Sequence, residues 1–113
     1  MPDTVGPIDR ATFGELQATT GADFVVELVG TFFEEAPQMI GELRGALAAG
    51  DADRFRRAAH SLKTNACTFG ATALGAAARG LEQGGLPAGA SGIDALQALY
   101  DEAAAALKEF IRG

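Results

Sequence analysis

At 113 residues the chain has room for one domain with one modest core; 48% of it is apolar, but so much of that is alanine that the core should be closely packed rather than bulky. The formal charge of −6 argues against a general nucleic-acid binder, which needs a basic footprint, and a single cysteine, Cys67, rules out an internal disulfide and fits a reduced, cytoplasmic setting. The opening "MPDTVGPIDR" lacks the basic and apolar regions of a secretion signal, and no uncharged apolar run is long enough for membrane insertion.

Apolar residues recur at spacings of three and four, the helical period, and no strand-like alternation persists. Residues 1–7 read as a flexible lead. Asp9 is placed to cap a short first helix, with Ile8 and Phe13 at the spacing of a hydrophobic staple. Thr20 and Asp23 have capping-box spacing before a long second helix whose apolar face reads Phe24, Leu28, Phe32, Ile40, Leu43 and Leu47. Pro37 should either kink that helix or split it in two. Gly50 and Asp51 supply a stop and a new cap. A third helix is predicted from Ala52 to Phe69, ended by Gly70, and a fourth from Ala71 to Gln83. Residues 84–90, "GGLPAGA", form the clearest loop. Ser91 and Asp94 repeat the capping-box spacing and open a last helix to Arg112, with the face Ile93, Leu96, Leu99 or Tyr100, Ala103, Leu107 and Phe110. Short connections between amphipathic helices make antiparallel neighbours. The predicted fold is therefore all-α: a single-domain up-and-down antiparallel four-helix bundle over residues 1–113, with the short extra N-terminal helix as a cover. Interior glycines at Gly41, Gly45, Gly75 and Gly80 are expected to permit close helix approach, at about 1 kcal/mol each relative to alanine.

The only histidine, His60, lies in the third helix. Phe55, Ala59, Leu62, Ala66 and Phe69 form an apolar seam there, and His60 is one step past it, rotated by roughly 100°. It should stand at the flank of the core or beyond, sharing its face with Arg56, Lys63, Thr64 and Cys67, with Arg57 nearby. Between Arg54 and Gly80 every charged residue is basic: Arg54, Arg56, Arg57, Lys63 and Arg79. An acidic protein thus carries a basic patch centred on its histidine, suited to phosphate or an acidic partner surface. His60 is ten residues before Gly70 and Glu82 twelve after, about 15 and 18 Å from the turn. In an antiparallel hairpin Glu82 comes level with His60, where its carboxylate could accept a ring N–H and fix the tautomer. Against this stands the ordinary reading of a lone helical histidine as a boundary residue and of the arginines as a solvated face. Cys67 reads as a small packed hydrophobe, too far along the axis for a Cys–His dyad. One histidine and one cysteine make no metal-ligand cluster, and no glycine-rich phosphate loop is present.

The stretch "AAHSLKTNACTFGA" resembles the signature of histidine-containing phosphotransfer (Hpt) domains at His60, Leu62, Lys63 and Gly70, flanked by Ala59 and Ala71. "FFEEAPQMIGELRGALAAGDADRFRRAAHSLK" is similar to that family's second and third helices, and "LEQGG" to the end of its fourth. The resemblance runs through nearly the whole chain from Ile8. It implies a phosphorelay intermediate: His60 takes a phosphoryl group from the aspartyl phosphate of one receiver domain and passes it to an aspartate of another, and Lys63 helps hold the phosphoryl oxygens. It further implies a phosphocarrier without kinase activity and with no cofactor of its own, Mg²⁺ being supplied by the receiver. Response-regulator receivers and a hybrid histidine kinase are the implied partners, and a monomer is expected. Arg56, Arg57, Thr64, Cys67, Arg79 and Glu82 are candidate partner-binding positions. Two positions depart from the family pattern: Thr64 stands where glycine is common, and Glu82 where a glutamine often bonds the imidazole. The alternative reading is a helical module that docks a receiver or other signalling protein without carrying phosphate.

Overall fold

The computed structural model describes residues 8–112, without the side chain of Arg112; the predicted flexible lead at 1–7 lies outside the described residues. Five helices and no strand are present among them: α1 (Arg10–Thr20), α2 (Ala22–Ala49), α3 (Ala52–Thr68), α4 (Thr72–Gln83) and α5 (Ser91–Arg112). Each of α2 to α5 packs on its sequence neighbours, α2 and α5 close the ring, and the backbones of the diagonal pairs stay apart. This is the predicted four-helix bundle, with α1 laid against α2 and α3.

Local chemistry accounts for most boundaries. Asp9 caps α1 by accepting from the backbone N–H of Ala11, and its other oxygen takes the Thr12 hydroxyl. Ile8 and Phe13 are both buried, as the staple requires. Asp51 caps α3 by accepting from the Arg54 N–H, and Gly50, at φ 68 and ψ 27, ends α2 in the left-handed conformation. The α3–α4 turn is tight: Gly70 has φ 79, and the Ala71 N–H donates to Ala66 O. The Asp9 N–H donates to Gly70 O at 2.7 Å and ties α1 to that turn. Phe13 also meets Phe110 of α5 edge-on at 5.1 Å, so α1 covers the end of the bundle where α3 turns into α4.

Several expectations need correction. The cap of α2 is Gly21, with no side-chain bond; the Thr20 hydroxyl instead donates back to Leu16 O within α1. The buried face of α2 is Val25, Val29, Phe32, Ala36, Ile40, Leu43 and Ala46, whereas Phe24 is 50% exposed and Leu28 and Leu47 are half-buried. The face is turned by one residue in the first two turns because Phe24 gives way to Val25. α2 runs unbroken through the exposed Pro37, so it is not split. Ser91 is already helical, and Asp94 turns its carboxylate to Arg44 of α2 at 2.9 Å rather than boxing the cap. At α5 the choice falls on Tyr100, which is buried and meets Phe32 at 5.7 Å, while Leu99 and Phe110 are half-buried. α3 stops at Thr68 with Phe69 as its cap, and α4 starts one residue late at Thr72.

The seam of α3 is as predicted: Phe55, Ala59, Leu62 and Ala66 are each no more than 1% exposed, and Phe69 packs on Phe32 at 5.0 Å. Only one of the four interior glycines lies against a neighbouring helix's backbone. A Cβ on Gly75 would stand 3.1 Å from Cys67 Sγ and 3.9 Å from Lys63 O. Gly45 leaves room for the Arg54 guanidinium, while Gly41 and Gly80 face open space. Gly75 and Ala78 thus form a small-residue face on α4 that lets it lie close on α3. Glu82, four residues after Ala78, continues that face.

Candidate functional site

With Ala59 and Leu62 fully buried, the intervening His60 must point away from the core, and its side chain is 56% exposed. Glu82, brought in by the small face of α4, is only 17% exposed, and its Oε2 lies 2.6 Å from His60 Nδ1. Its other oxygen, Oε1, takes Lys63 Nζ at 3.0 Å. One carboxylate therefore joins the imidazole and the ammonium that stand one turn apart on α3. Lys63 first and His60 second hold the Glu82 carboxyl below the usual glutamate range, against the opposing effect of desolvation. An ionised carboxylate can only accept, so Nδ1 carries the ring proton. The lone pair of the neutral ring is then at Nε2, which makes no hydrogen bond among the described residues.

The other predicted positions divide. Thr64 turns its hydroxyl back to His60 O at 3.1 Å, so its polar atom is occupied within α3. Cys67 is exposed, not packed in the core as its residue type suggested. It borders an open hollow of about 630 Å³ along the α3–α4 seam, together with Lys63, Arg79 and Gln83.

The basic patch does not stand free. Arg54 bonds Glu42 of α2 at 2.7 Å, and Arg56 and Arg57 share the carboxylate of Asp53 at 2.8 and 3.1 Å. Glu42 and Asp53 are both held below their usual ranges by these guanidinium groups. Asp53 was readable, since it stands three and four residues before Arg56 and Arg57, just outside the uniformly basic span. Glu42 comes from another helix and left no signal. Arg79 alone of the patch has no ion pair among the described residues. Among the same residues no group of three or more His, Cys, Asp or Glu could hold a metal ion, and no helix is long and apolar enough to cross a membrane.

An exposed imidazole nitrogen that makes no hydrogen bond among the described residues, with an ammonium one turn away, is chemically able to act as a nucleophile toward an anionic group. The family model of the Hpt domain matches residues 27–106, most of the chain and all of this site. The chain belongs to the Hpt domain family. No curated protein and no solved structure matches it. Hpt domains are phosphotransfer modules of two-component signalling, phosphocarriers rather than enzymes, whose partners are receiver domains and kinases. In this Hpt domain the glutamate at position 82 makes the imidazole contact expected of glutamine, and it also binds Lys63, which a neutral amide would hold less strongly.

Proposed function

We propose that this Hpt domain is a phosphorelay intermediate in the cytoplasm. His60 takes a phosphoryl group from the aspartyl phosphate of one receiver domain and gives it to an aspartate of a second. The upstream member is a hybrid histidine kinase. The observation that carries this reading is the 2.6 Å bond between His60 Nδ1 and Glu82. It leaves Nε2 as the free nucleophile on an exposed ring. In the step, the Nε2 lone pair attacks phosphorus as the bond from phosphorus to the aspartyl oxygen breaks. The aspartate leaves as a carboxylate with that electron pair. The ring, substituted at Nε2 and still protonated at Nδ1, gains positive charge, which the Glu82 carboxylate counters. The onward step is the reverse on a new aspartate.

Lys63 has two N–H donors left after its bond to Glu82, enough to meet phosphoryl oxygens. Glu82 is itself negative, but it sits on the Nδ1 side of the ring and shares its charge with Lys63. Phosphoryl transfer of this kind depends on in-line placement and neutralisation of equatorial oxygens, which a rigid helix and a nearby ammonium supply. The acceptor carboxylate and Mg²⁺ belong to the receiver.

The test is incubation with radiolabelled phospho-receivers. Acid-labile, base-stable label should appear on the wild-type chain and be absent from a His60→Gln variant with an unchanged helical spectrum. Undiminished labelling of the variant would overturn the assignment. A receiver that binds but never labels the wild type would mean a docking module without phosphate.

A further inference from the structure

The cations around His60 are not equivalent, and the difference gives the site a side. Toward α2, Arg54 and Arg57 are held by the carboxylates of Glu42 and Asp53, and Arg56, one turn before His60 on its own face, shares Asp53. Their field is largely cancelled before a partner arrives. Toward α4, the open hollow along the α3–α4 seam has no carboxylate in its lining. Its charged groups are Lys63 and Arg79. Lys63 is turned to Glu82, whose two oxygens are both engaged, and Arg79 has no ion pair among the described residues. The α4 side of the hollow is built of small residues. Gly75 and Ala76 line it, and a Cβ on Gly80 would meet nothing within 4 Å. The hollow adjoins the phosphoacceptor through Lys63 and through Gln83, the neighbour of Glu82.

We propose that the receiver docks over the α3–α4 side of His60. It would seat a small apolar segment in the hollow and pair one of its carboxylates with Arg79; the carboxylate-paired Arg54, Arg56 and Arg57 take no part. This rests on the phosphorelay reading, which already requires the partner to present an aspartate at His60. Charge complementarity selects the side: Arg79 is the cation that an acidic surface can pair without displacing an existing bond. A partner engaging Arg56 or Arg57 would first have to compete with Asp53. Opposite charges at such a surface act mainly on the rate of encounter.

Three variants test it, with a receiver that labels the wild type. Arg79→Gln and Arg57→Gln each move the formal charge from −6 to −7, so they differ in place and not in total. Arg79→Gln should slow transfer from the phospho-receiver at low salt by about threefold to tenfold, and Arg57→Gln by less than about twofold. Ala76→Leu puts bulk into the hollow from an exposed helical position and should slow transfer by at least about tenfold. All three should take label from phosphoramidate, a small phosphoryl donor that needs no docking surface, at the wild-type rate; that arm also shows that each variant is folded and His60 competent. Equal slowing by Arg57→Gln and Arg79→Gln, or wild-type transfer by Ala76→Leu, would overturn the docking side while leaving the relay intact. If no phospho-receiver labels the wild type although phosphoramidate does, the relay reading fails and the docking proposal falls with it.

Discussion

Replacing Gly70 by alanine should cost far more than the same change at Gly50, although both glycines follow a helix and both have positive φ, 79 and 68. At Gly50 a Cβ would meet nothing within 4 Å, so Gly50→Ala carries only the left-handed backbone penalty, about 1 kcal/mol. At Gly70 the added Cβ would stand 2.8 Å from Asp9 O and 3.1 Å from Thr12 Cβ. The first of these is a backbone atom and cannot swing aside. The start of α1 must move, and the Asp9 N–H bond to Gly70 O, 2.7 Å long, is strained or lost for about another 1 kcal/mol. Partial re-exposure of the buried Ile8 and Phe13 adds about 1 kcal/mol more. The totals are about 1 kcal/mol for Gly50→Ala and about 3 kcal/mol for Gly70→Ala. For a chain of this size they correspond to drops in melting temperature of roughly 4 and 12 °C. Thermal melts followed by circular dichroism, with urea titrations for the free energies, measure both. Losses equal within about 0.5 kcal/mol would refute the reasoning, because the contact with α1 would then carry no weight.

Lys63→Ala should slow phosphoryl transfer on the order of tenfold with an unchanged helical spectrum, and loss of its ion pair with Glu82 should lower the unfolding free energy by no more than about 1 kcal/mol; equal transfer rates would remove Lys63 from the site. Because the folded state depresses the Glu82 carboxyl, the ionised form is favoured on folding. That contribution is complete above the ordinary glutamate value of about 4.3 and is lost as pH falls through the lower folded value. Urea midpoints between pH 7 and pH 3 should therefore fall less steeply in Glu82→Gln than in the wild type, and parallel pH profiles would contradict the shift. Leu62→Ala, on the buried side of the helix that carries His60, should cost about 3 kcal/mol of unfolding free energy, and a loss below about 1 kcal/mol would mean that this seam is not the core.

What could be read without coordinates was whatever depends on nearby residues. Asp9 and Asp51 announce their caps because a capping side chain bonds N–H groups two or three residues on. The α3 seam was legible because its 4-3-4-3 steps contain two phenylalanines and a leucine. The α2 face was not, because Ala36 and Ala46 carry part of it and the bulk of Phe24 points to the wrong side. Thr20 has the residue type of a cap, but its hydroxyl finds Leu16 O, a competing partner that capping spacing does not reveal. The level of Glu82 followed from counting residues to Gly70 on both sides. Its rotation toward His60 did not, because that depends on how closely Gly75 and Ala78 let α4 approach α3. The pairing of Arg54 with Glu42 joins two helices through side chains alone, so a patch that looks uniformly basic in sequence is mostly neutralised in space.

The position of the phosphorus on His60 is the sharpest test of the proposed site. With Glu82 holding Nδ1, phosphorus must bond to Nε2. Nitrogen–phosphorus coupling in NMR spectra of chain labelled with ¹⁵N at histidine and phosphorylated by a receiver reads this directly. Coupling at Nε2, with the Nδ1 signal uncoupled, is the expected result. Coupling at Nδ1, or phosphorus on any residue other than His60, would contradict it.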